Sequence, residues 1–172
     1  MPIDVKSLSP ADALDVAILM EDEARERYEW FARIVGGRYA GDAADMFRMM
    51  ATYEKKHGLE LSQRRQASFP NVPRRITSDM LDDVEAPDRG KPRVFMSARD
   101  ALAVALSSEE KAYDFFSGSL PHIKEPAVAA LFEELGREEL RHRDLVKAFM
   151  EKLPTGPDVE EDEADEPGSD PG

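Results

Sequence analysis

Cysteine is absent from the 172-residue chain, which removes disulfides, zinc–thiolate sites, iron–sulfur clusters and thiol nucleophiles in one step. A metal would have to be held by Glu, Asp and His. Histidine itself is scarce, with three in the chain. No apolar run approaches the roughly 18–20 residues that cross a bilayer. Met1-Pro2-Ile3-Asp4 lacks the basic-then-apolar start of a secretory leader, so the expected setting is cytoplasmic, with no membrane partner. Basic residues are few: 36 acids face 23 bases, for a net charge of −13. Eight of those acids, and no base, lie between Pro154 and Gly172, leaving −5 for the rest. That field repels nucleic acid, whose binding needs clustered Lys and Arg.

What is present reads as one domain, residues 1–153, followed by an acidic tail, 154–172. The tail contains Pro and Gly and almost nothing apolar, a composition that predicts disorder. The domain shows four helix signals. Ser9-Pro10-Ala11-Asp12 combines an N-cap serine, proline in the first turn and an acid three residues after the cap. That helix should run to about Val35 and stop at Gly36-Gly37. Asp42, with Asp45 after it, opens a second helix reaching about Arg65. Ser97-Ala98-Arg99-Asp100 opens a third, ending near Gly118, and Pro126 starts a fourth, running to about Leu153.

Residues 66–96, with Pro70, Pro73, Pro87, Gly90 and Pro92, form a long connection that should hold one short helical turn around Ser78–Val84. The other two connections are short. Two antiparallel hairpins joined by one long crossover is a ferritin-like four-helix bundle, all-α in class. The hairpins also resemble each other. Superposing Glu21 on Glu109 and Glu54 on Glu139 puts Tyr28 on Phe116, Phe47 on Phe132, Met50 on Leu135 and His57 on His142. One unit is used twice.

Spacings of three and four trace an apolar stripe along each helix. Each stripe is interrupted near its middle by a glutamate: Glu21, Glu54, Glu109 and Glu139. Two stripes add a histidine three residues later, His57 and His142, on the same helix face as the glutamate before it. Four carboxylates in one core cannot stay ionised without compensation, and two divalent metals would balance them. Neutral imidazole together with carboxylates suits iron or manganese better than calcium or magnesium. A lone Glu from each of two helices with Glu-x-x-His from each of the other two is the ligand set of di-iron carboxylate bundles. The competing reading is a structural hydrogen-bond network or a degenerate, metal-free site.

Other residues fit blander roles. His122 follows Pro121 in a loop and has no glutamate three residues earlier, so it reads as surface. Glu23, Glu110 and Glu138 neighbour the proposed ligands but fall off or at the edge of the stripes, and read as solvated charge. Trp30, Met46 and Met50 read as packing. Tyr28 either orients a ligand carboxylate by hydrogen bonding or simply packs in the core.

Glu21-Asp22-Glu23-Ala24-Arg25-Glu26-Arg27-Tyr28, followed by Phe31-Ala32, resembles the first helix of rubrerythrins. Glu54-Lys55-Lys56-His57 and Glu139-Leu140-Arg141-His142 resemble that family's second and fourth helices. The likeness covers roughly residues 10–153. It implies a centre of two iron ions (Fe2+/Fe3+), with manganese or a mixed pair as the alternative, that reacts with peroxide or oxygen in a homodimer or larger homo-oligomer. Two departures matter. Rubrerythrins carry a C-terminal rubredoxin domain with an iron held by four cysteines, so a separate electron-donor protein is implied here. They also carry a second glutamate on helix three, where this chain has Ala112. The remaining set of four Glu and two His is more like the ferroxidase site of bacterioferritins.

Three functions are therefore in play. The first is a di-iron oxidoreductase reducing peroxide or oxygen at Glu21, Glu54, His57, Glu109, Glu139 and His142. The second is a ferroxidase for iron oxidation, detoxification or storage. The third is a non-catalytic interaction module using the acidic tail.

Overall fold

The computed structural model describes residues 3–35, 43–81 and 97–153. Four helices account for most of them: α1 (Pro10–Ile34), α2 (Ala43–Ser68), α3 (Ala98–Ser119) and α4 (Pro126–Lys152). Short 3-10 turns occupy Val5–Ser7, Ser78–Met80 and Leu120–His122. The stop at Gly36-Gly37, the start at Asp42, the far end of the turn at Val84, crossover residues 82–96 and the tail 154–172 lie outside the described residues.

The caps work as their residue types dictate. The Ser9 side chain accepts from the Asp12 backbone N–H at 3.2 Å, and the Asp12 carboxylate accepts from the Ser9 N–H at 3.1 Å. Ser97 accepts from the Asp100 N–H at 3.0 Å. The first box thus satisfies two otherwise free N–H groups, one on each of its residues. Helix α2 outruns its expected end at Arg65 and reaches Ser68. The reason is Arg65 itself, whose guanidinium donates to the Phe69 and Val72 carbonyls just past the helix. The same group grips buried Asp15 of α1 with two bonds, at 3.0 and 3.1 Å, so neither ion is buried unpaired. Arg74 also approaches Asp15, and Arg75 pairs with Asp12. The start of the crossover is thereby tied to the start of α1. Burial raises the Asp12 carboxyl, but Arg75 and Ser9 outweigh it and hold the group below its ordinary value.

Helix α1 lies antiparallel on α2, since Asp15 meets Arg65 at one end while Phe31 meets Phe47 at the other, with ring centroids 5.2 Å apart. In the same way α3 lies antiparallel on α4, with Phe116 edge-on to Phe132 at 5.2 Å. The all-α, four-helix bundle is thus two hairpins, and the backbones approach more closely within each hairpin than between them.

The apolar core is divided. One cluster joins the first half of α1, Leu61 of α2, Phe116 of α3 and the first half of α4, including Val128, Leu131 and Leu135. The other joins Tyr28 and Phe31 of α1, Met46 to Ala51 of α2, Leu102 and Ala105 of α3, and Val146 of α4. Helix α2 therefore ends in the first cluster, while α3 begins in the second. The end of α2 and the start of α3 are thus separated by about the length of α2, whose 26 residues span about 39 Å at 1.5 Å per residue. This is why the crossover is long. Between the clusters, at mid-height, the buried residues are charged. Among the described residues no helix is long and apolar enough to cross a membrane.

Candidate metal centre

Glu21, Glu54, Glu109 and Glu139 are all buried, one on each helix, at 5%, 2%, 3% and 8% exposure. Helical periodicity brings each to the inner face of its helix, because it occupies a place in the stripe that elsewhere holds Leu, Phe or Ala. His142 is buried with them, and His57 is half-buried. The two imidazoles stack nearly parallel, with centroids 5.5 Å apart and 8° between planes. All six residues of the expected set therefore converge on one layer of the bundle.

Their ligand atoms fall into three overlapping groups, each within 4.8 Å: Glu54, His57 and His142; Glu109, Glu139 and His142; and Glu21, His57 and Glu138. His142 Nδ1 lies 3.1 Å from Glu54 Oε1, 3.5 Å from Glu109 Oε2 and 4.0 Å from Glu139 Oε2. His57 Nδ1 lies 3.7 Å from Glu21 Oε2 and 3.9 Å from Glu138 Oε2. The Glu54 Oε1, His57 Nδ1 and His142 Nδ1 atoms are fully buried yet have no hydrogen-bond partner. Buried polar atoms are normally satisfied. Lone pairs gathered at short range without one are what a bound cation would satisfy, and carboxylates with imidazoles are the donor set of iron or manganese. The residues fit a metal pair.

The electrostatics point the same way. Burial lowers the His142 imidazole, but Glu109 and Glu54 beside it dominate and push it up to about 10. Burial raises Glu54, and the adjacent His142 more than reverses this, leaving the carboxyl below its ordinary value. Positive charge is strongly favoured at this point in the bundle.

The Tyr28 hydroxyl donates to Glu109 Oε1 across the bundle. Burial, with Glu109 and Glu54 nearby, raises the phenol well above its ordinary value, so it stays protonated and keeps donating. Tyr28 thus does more than pack, and it fixes which oxygen of Glu109 remains free.

Outside the layer, His122 is exposed in the turn between α3 and α4. Glu110 is exposed and pairs with Lys147 at 3.4 Å, and Glu23 lies 4.0 Å from Arg27. Glu138 departs from expectation. It is half-buried and joins Glu21 and His57 rather than standing in solvent. Tyr53 was given no role by its position in the sequence, yet its ring lies parallel to His142 at 6.5 Å. The repeat held a clue to both residues, since superposing Glu54 on Glu139 aligns Tyr53 with Glu138.

Residues 12–86 and 100–169 match the family model described as rubrerythrin. Among solved structures, an uncharacterised conserved protein from Magnetospirillum magnetotacticum MS-1 superposes with a TM-score of 0.69 at 26% identity. The match covers 87% of this chain and 98% of that one. No curated protein matches the chain.

Proposed function

The chain belongs to the rubrerythrin family, and from that premise we propose that it is a di-iron oxidoreductase that reduces peroxide or oxygen. The observation that carries the reading is the set of overlapping Glu/His groups sharing His57 and His142 in a buried layer. Glu21, Glu54, His57, Glu109, Glu139 and His142 would hold the two ions, and their four carboxylates would offset the four positive charges. When bound, an iron pair supplies two electrons, one per ion, to an O–O bond, and two protons complete the reduction of peroxide to two waters.

The chain's own residues set the conditions for that chemistry. The apolar clusters above and below the layer exclude water and lower the local dielectric. Tyr28 holds Glu109 in one orientation, and the two imidazoles lie nearly parallel between the histidine-bearing helices. Entry is from the His57 side, where the imidazole is 20% exposed against 6% for His142. Electrons would return from a separate donor protein, and a homodimer or larger assembly is the expected form.

A second reading, iron oxidation and storage, is favoured by one observation. The α3 position that would carry a further ligand in a rubrerythrin-like site is Ala112, a buried alanine, so α3 offers only Glu109. Loading the protein anaerobically with ferrous ion and mixing it with peroxide or oxygen separates the readings. Much faster consumption of peroxide than oxygen supports the peroxidase. Many irons oxidised and retained per chain supports storage, and failure to bind about two ions per chain ends both.

A further inference from the structure

We propose that Glu138 is a seventh protein ligand of the centre, completing the set around the ion on the His57 side. The inference rests on the metal-centre reading and goes beyond it, because Glu138 lies outside the four-Glu, two-His set. Glu138 and Glu139 are consecutive on α4, and a helix turns about 100° between neighbours. That step sends them to different groups. Glu139 faces Glu109 and His142, while Glu138 reaches across to α2 and α1 and meets His57 and Glu21.

Three observations argue for a ligand rather than a solvated charge. The Glu138 carboxylate is only 25% exposed, and among the described residues the one basic group within 4 Å of it is His57, at 3.9 Å. Its oxygen and that of Glu21 lie within 4.8 Å of each other. Two carboxylates at that separation repel unless a cation stands between them. The His57 Nδ1 between them is fully buried and has no hydrogen-bond partner. It lies 3.7 Å from Glu21 Oε2. Ligand atoms about 2.1 Å from one ion at tetrahedral or octahedral angles lie about 3.0–3.4 Å apart, so binding would draw Glu21 and Glu138 each about 0.3–0.9 Å nearer the imidazole and pull the two carboxylates together from within 4.8 Å.

The neighbouring Glu54 strengthens the assignment. It is almost wholly buried, keeps Oε1 without a hydrogen-bond partner, and shares a group with His57. The repeat adds an independent comparison. At the equivalent place on α2 stands Tyr53, which lays an aromatic ring against His142 and offers no carboxylate. The two ends of the pair are therefore supplied differently: Glu109, Glu139 and His142 on one side, Glu21, His57 and Glu138 on the other, with Glu54 near both histidines.

The test is an anaerobic titration of the full chain with 57Fe2+, comparing wild type with Glu138→Gln and Glu138→Ala. Binding is followed by calorimetry, and the ferrous environments by Mössbauer spectroscopy. In both variants the first ion should bind as in wild type, the second should weaken about tenfold or more, and one of two ferrous quadrupole doublets should shift. Two ions bound at wild-type affinity with unchanged doublets would make Glu138 a solvated carboxylate and leave the di-metal reading standing. Loss of both ions from a variant with wild-type circular dichroism would assign it a general structural role and overturn the proposal. A wild type that binds no stoichiometric iron would overturn the di-metal reading itself and the proposal with it.

Discussion

The two halves of the centre come from hairpins whose sequences align with each other, yet they sit in different surroundings. Around His142 the carboxylates of Glu54, Glu109 and Glu139 are buried, a phenol is fixed on Glu109, and the Tyr53 ring lies parallel to the imidazole. Around His57 the imidazole is partly exposed, and the additional neighbour is the half-buried carboxylate of Glu138. The ligands themselves align in sequence: Glu21 with Glu109, Glu54 with Glu139, His57 with His142. What breaks the symmetry stands beside them. Tyr28, which bonds Glu109, matches Phe116, which has no hydroxyl, and Glu138 matches Tyr53. Each hairpin keeps a lone Glu on its first helix and Glu-x-x-His on its second, and different residues at adjoining positions give each ion its own environment.

The largest expected effect comes from removing one histidine at a time. His142→Ala should weaken the ion on its side by at least about 100-fold, and His57→Ala should weaken its own ion by about tenfold, the buried half losing more because its orphaned carboxylates have no solvent to turn to. Ferrous titrations of the two variants measure this, and equal losses would erase the distinction. Next in size is Tyr28→Phe, which leaves a buried Glu109 oxygen without its donor. It should cost about 1–3 kcal/mol of stability before metal is added and weaken the ion near His142 while sparing the one near His57. Thermal unfolding and the same titration check both parts.

The proton on His142 offers a finer contrast. Its value is raised to about 10, so without metal its stabilising contribution is complete below the ordinary value near 6.5 and is lost as pH rises through about 10. A metal needs the neutral imidazole, so loading at pH 8 should release one proton from this residue, and affinity should rise with pH. Calorimetry in two buffers of different protonation heat reads that proton, and no release would contradict the arrangement around His142. The smallest expected effect is none: His122→Ala should leave both ions bound as in wild type, and a drained centre would mean the ligand assignment is wrong.

The fold was legible because its signals are local. Ser9 and Ser97 mark two helix starts, stripes of period 3.6 mark the inner faces, and the four glutamates interrupt those stripes at matching places. The extra length of α2 was not legible, since its end is held by the Arg65 side chain where a glycine signal would be expected, and Arg65 is fixed by an aspartate 50 residues away. The half-buried placement of Glu138 was not legible for a related reason. On α4 alone it lies at the edge of the stripe, and only the approach of α2 and α1, which no local pattern encodes, brings His57 and Glu21 to it.

The division of the core into two apolar clusters has a mechanical consequence. At each end of the bundle the hairpins are joined by interlocking hydrophobic side chains, but at the waist they face one another through carboxylates and imidazoles. Whatever cations bind there act as a rivet between the hairpins, adding about 2.7 kcal/mol of resistance to opening at a free concentration 100 times Kd. Amide exchange should therefore respond to metal most strongly near the middle of each helix and least in the cluster at either end. The bundle carries its own stiffness at both ends and takes the stiffness of its waist from what it binds.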